Sequence, residues 1–66
     1  MSDFVERMKA EVSELKAKMD KLAAFIGTDT FNGLHNFERL LLEEQLEAMT
    51  TYHRLLSKRL ALHLHG

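Results

Sequence analysis

Four polar residues spaced by seven, Glu38, Gln45, Tyr52 and Arg59, fall in the middle of a leucine-rich stretch where charge is not expected. At about 100° per residue they form one line along a helix. Leu41, Ala48, Leu55 and Leu62 flank that line on one side, and Leu42, Met49 and Leu56, with Leu46 and Leu60 nearby, on the other. Earlier in the chain Glu11 and Lys18 share a face with Phe4, Met8, Leu15 and Leu22, with Arg7 and Phe25 at its edge. Folding the chain back about its middle brings Glu11 near Tyr52, Lys18 near Gln45 and Arg59 near Phe4. Two chemistries suit such a set. It is either a buried polar network that fixes register and oligomer state, or a pocket between protomers where Arg and Lys hold phosphate while Phe and Tyr stack on bases.

Other chemistries lack their residues. Cysteine is absent, which removes disulfides and thiolate metal sites. His63 and His65 are two apart, so a helix points them in nearly opposite directions, and His35 and His53 are isolated. No Glu-x-x-His pair occurs, so no metal site is expected. Ser2 and Ser57 have no His-acid partners, and no glycine-rich phosphate loop is present. The expectation is a binding protein without cofactor and not an enzyme. Lys9, Lys16 and Lys58 belong to a solvated face, where lysine ordinarily lies.

The elements that must position these residues are two helices. Proline is absent, and the only cluster of helix breakers is Gly27-Thr28-Asp29-Thr30-Phe31-Asn32-Gly33. The expected domain is a single hairpin over residues 1–66, with a helix over about 3–26, a turn over about 27–35 and a helix over about 36–63. Gly27 suits the C′ position of the first helix, Asn36 the N-cap of the second and Ser2-Asp3 the cap of the first. Phe31 and Leu34 should tuck under the tip. Val5, Met8, Val12, Leu15, Met19, Leu22 and Ile26 keep an unbroken 3-4 spacing, the pattern of a coiled-coil seam. In the second helix the apolar face is too wide for one partner to cover. Both segments run from acid to base: Asp3 and Glu6 before Lys16, Lys18 and Lys21, then Glu38, Glu43, Glu44 and Glu47 before Arg54, Lys58 and Arg59. That order favours two separate helix dipoles.

A chain of 66 residues buries too little surface to be secure alone, and without cysteine it is left with self-association. The fold class expected is therefore all-α, an antiparallel helical hairpin assembling into a symmetric homo-oligomer. The net charge of −1 gives no general attraction to nucleic acid polymer or membrane. No apolar run matches a membrane span, and the start lacks signal-peptide character, so a soluble intracellular protein is expected.

Taken in order, Phe4, Arg7, Glu11, Leu15, Lys18, Lys21-Leu22 and Phe25-Ile26, then Thr30-Phe31 and Leu34, then Glu38, Leu41, Gln45, Met49, Tyr52, Leu56 and Arg59 form a set that resembles the helical-hairpin family of phage nucleotide sponges. That family includes the second type of anti-CBASS protein and the related hairpin of an anti-Thoeris protein. The resemblance covers nearly the whole chain. It rests most on Lys21-Leu22 with Phe25-Ile26, followed by Gln45, Met49, Tyr52 and Arg59. It implies a phage protein that binds cyclic oligonucleotide second messengers, such as cyclic GMP-AMP or cyclic trinucleotides, without cleaving them. It further implies a homohexamer in the cytoplasm of the infected bacterium, holding ligand between protomers and leaving CBASS effectors unactivated. A cyclic dinucleotide has two phosphates and two base faces, which a symmetric interface matches. On that reading Arg7, Lys18, Lys21 and Arg59 are the phosphate contacts, Phe4 and Tyr52 stack, Met8 forms an apolar floor and Glu11 joins the polar set. The competing readings are a small dimeric RNA-binding regulator, which requires a clustered basic face, and a structural coiled-coil adaptor, for which the heptads suffice.

Overall fold

A computed structural model describes residues 3–65, and these are almost wholly helical: α1 spans Asp3–Ile26, α2 Asp29–Asn32 and α3 Asn36–His65. Ser2, expected to cap α1, lies outside the described residues. Asp3 and Glu6 occupy the first turn of α1, where carboxylates meet the positive end of the helix dipole. The last turn of α1 carries no basic side chain, so the acid-to-base gradient stops at Lys21, short of the helix end.

Thr28 joins α1 to α2. The amides of Gly27 and Thr28 donate to the carbonyls of Ala24 and Phe25 at 3.2 and 3.0 Å, closing α1 with tight turns. The Thr28 hydroxyl donates to the same Phe25 carbonyl at 2.6 Å and accepts from the Phe31 amide at 3.2 Å, capping α2. No described glycine has positive φ, so Gly27 does not take the left-handed C′ conformation. The short turns and the threonine satisfy the carbonyls instead. At α3 the cap is His35 and not Asn36: His35 Nδ1 accepts from the Phe37 amide at 3.0 Å. Asn36 is already helical and its side chain accepts from the Arg39 guanidinium.

α1 and α3 pack side by side with α2 folded under the tip. Phe31 is buried there, its ring meeting Phe25 edge-on at 6.0 Å, and Leu34 is half-buried beside it. All seven seam residues of α1 are half-buried or buried. They face Leu42, Leu46, Met49, Leu56 and Leu60 of α3, and His53 shares that inner line. Only Met8, Phe31 and Leu56 are buried outright among the described residues.

The result is a rod of 48 × 14 × 14 Å, as long as α3 itself. Its radius of gyration is 15.0 Å, against about 11 Å for a compact domain of this length. The accessible surface is 5000 Å², against roughly 4300 Å² expected for a folded monomer of this mass. Leu41, Leu55 and Leu62 remain 46 %, 48 % and 72 % exposed. Among the described residues no helix is long and apolar enough to cross a membrane.

Candidate ligand-binding face

The polar line of α3 comes to the surface beside the seam. Gln45, Tyr52 and Arg59 are all exposed, between the inner leucines facing α1 and the outer ones facing solvent. α1 presents Phe4, Arg7, Glu11 and Lys18 along the adjoining flank, and all four are exposed. The two helices meet there through one side-chain pair: the Tyr52 hydroxyl donates a short hydrogen bond to Glu11 Oε2. That bond raises the phenol pKa above its usual 10.0, aided by partial burial and by the Glu11 charge, while Arg59 pulls it the other way. The Tyr52 ring is still 44 % exposed.

Around this pair Glu11, Glu14, Leu15, Lys18 and Tyr52 line a small cleft of about 160 Å³. Complete small-molecule sites usually enclose about 300–1,000 Å³. The cleft on one hairpin is smaller than that range. Larger grooves exist elsewhere and suit an anion less. One of about 510 Å³ is lined by Ile26, Glu43, Leu46, Glu47, Thr50 and Thr51, with two carboxylates and no cation. Another lies at the tip, where Arg39 is already bonded to Asn36.

The cations of α1 divide by side. Lys9 pairs with Glu6 at 3.4 Å and Lys16 with Asp20 at 3.0 Å, both exposed pairs within one helix. Arg54 and Lys58 of α3 are unpaired, and Arg7, Lys18, Lys21 and Arg59 likewise form no ion pair or hydrogen bond among the described residues. The last four are those that sequence reasoning assigned to phosphate. Lys21 lies farther along α1 than the cleft and does not line it.

The family model for Sequestin matches residues 2–62. The chain belongs to the Sequestin family. This agrees with the resemblance to sequestering helical hairpins, since both cover the two long helices and the tip. Searches of curated proteins and of solved structures returned no match.

One predicted site residue of this Sequestin-family chain, Met8, is placed differently from expectation, and another, Phe4, has a partner not foreseen. Met8 is 4 % exposed and belongs to the seam, so its surface is spent on packing and is not available as a floor. Phe4 meets His63, one turn from Arg59 along α3, with ring centroids 5.0 Å apart and planes at 84°. Sequence reasoning passed over His63 as a failed metal ligand. Its signal was positional, because antiparallel pairing through Glu11 and Tyr52 sets residues near 4 against residues near 60. Glu14 was also missed, and its place one turn beyond Glu11 is the clue.

Proposed function

We propose that this protein sequesters cyclic oligonucleotide second messengers as a phage counter-defence sponge, keeping them from the CBASS effectors they would activate. The observation that carries the reading is the division of the α1 cations, together with the place of Arg59 beside Tyr52; Arg54 and Lys58 of α3 are also unpaired among the described residues. Arg7, Lys18, Lys21 and Arg59 are uncommitted on the flank that bears the half-exposed Tyr52 and Phe4, whereas Lys9 and Lys16 are neutralised within α1. Uncommitted guanidinium and ammonium groups beside aromatic rings are what a ring of phosphates and bases requires. Membership of the Sequestin family supports retention of a ligand. The ligand is held and not cleaved, in keeping with a sequence that has neither cysteine nor a glycine-rich phosphate loop.

The site is completed by a second hairpin in a homohexamer within the host cytoplasm. A cleft of about 160 Å³ on one chain is doubled when two flanks face each other, and a two-fold axis between them pairs the cations as a cyclic dinucleotide pairs its phosphates. The test is calorimetric titration against a panel of cyclic di- and trinucleotides, followed by heat denaturation and chromatography of the released ligand. Saturable binding with release of intact ligand is the expected result. Silence across the panel, or recovery of linear products, overturns the reading.

A further inference from the structure

Resting on that reading, the geometry points to a base selector: the Glu11 carboxylate, fixed by the Tyr52 hydroxyl, reads the Watson–Crick edge of guanine and disfavours adenine. The cleft around the pair is unsuited to phosphate. Its lining carries the carboxylates of Glu11 and Glu14 against the single ammonium of Lys18. Arg7, Lys21 and Arg59 lie outside that lining. A phosphate belongs with those cations, which leaves the cleft itself to a base.

The cleft offers a base two kinds of contact. Leu15 and the exposed Tyr52 ring present apolar and aromatic surface for its face. Glu11 presents acceptors to its edge. An ionised carboxylate has about four lone-pair sites. The Tyr52 hydroxyl takes one, and no other protein group among the described residues bonds to Glu11. About three sites therefore remain, at least one on each oxygen. Unpaired guanine supplies two adjacent donors, N1–H and N2–H, that match them in a fork. Adenine supplies the N6 amino group and turns its N1 lone pair toward the carboxylate, which repels it. The Tyr52 bond adds precision, because it commits the phenol proton inward and stops the Glu11 side chain from rotating. A polar site built for a donor pair rejects the analogue that lacks it. Base-edge pairs of this kind discriminate by about 1–3 kcal/mol, or roughly 5- to 150-fold.

The experiment is calorimetric titration of the assembled protein with cyclic di-GMP, cyclic GMP-AMP and cyclic di-AMP, for the wild type, Glu11→Gln and Tyr52→Phe, with helicity and assembly size checked for each. In the wild type the affinity for the guanine rings should exceed that for cyclic di-AMP by at least about fivefold. In Glu11→Gln the ratio should fall toward one, because an amide bonds either base. Tyr52→Phe keeps the ring but frees Glu11, and should lower the ratio to a smaller degree. Equal binding of all three rings by the wild type, or a ratio that survives Glu11→Gln, overturns the selector while leaving the sponge standing. Absence of binding to all three rings overturns the selector, and the sponge falls with it only when cyclic trinucleotides are silent as well.

Discussion

At the scale of single residues, Tyr52 is the group whose environment is most altered by the fold. Its hydroxyl proton is shared with Glu11, 41 residues away, so the phenol reports directly on whether α1 and α3 hold their register. The Glu11 bond raises its pKa in the folded state, which means the neutral form is favoured by folding. This contribution is therefore present at pH values below the ordinary pKa near 10 and is lost as pH rises through the higher folded value. Because the chain contains one tyrosine, tyrosinate absorbance follows this residue alone. The wild type should ionise later than a free tyrosine, and Glu11→Gln should bring the midpoint back toward the ordinary value. A wild-type midpoint at or below that of free tyrosine would mean the bond does not persist in solution.

At the scale of elements, the hairpin depends on very few enclosed side chains. Leu56 is 1 % exposed, the most buried side chain of α3, and it packs into the α1 seam from the α3 face. Leu56→Ala should cost about 2–5 kcal/mol by removing packed methyl groups from a site with little means of collapsing. Urea or thermal melts at one fixed protein concentration measure it, and a loss under about 1 kcal/mol would place Leu56 outside the load of the fold. The seam that Leu56 enters was legible because the 3-4 spacing from Val5 to Ile26 has no interruption, and helix periodicity is a long-range pattern that survives local exceptions. The caps were less legible. Asn36 is a better statistical N-cap than histidine, yet His35 wins because its ring nitrogen reaches the Phe37 amide and Asn36 is drawn to Arg39. Gly27 looked like a left-handed terminus, but Thr28 bonds back to Phe25 and forward to Phe31, and removes the need for one. The candidate face was read in outline through the heptad placing of Glu11 and Tyr52. Phe4 against His63 was not, since it depends on the exact stagger of two antiparallel helices and only coordinates supply that.

At the scale of the whole molecule, a 48 Å rod with three buried side chains among its described residues is an incomplete fold. Its surface exceeds that of a compact monomer of equal mass by roughly 700 Å², close to the roughly 800 Å² per partner that a standard interface removes. The excess is ordered: Leu41, Ala48, Leu55 and Leu62 repeat every seven residues beside Tyr52 and Arg59, so covering the leucines with another hairpin also brings two polar lines together. On the proposed reading, assembly and ligand capture are one event. Light scattering should give a mass several times the 7.6 kDa of one chain. Leu55→Glu, which places a charge at the centre of the stripe without touching the α1–α3 seam, should drive the mass toward a single hairpin and weaken cyclic nucleotide binding together with it. A variant that keeps its mass while losing ligand would instead put the stripe in the ligand site. Wild-type protein that scatters as a single chain at micromolar concentration would show that the leucine stripe is covered by something other than a second copy.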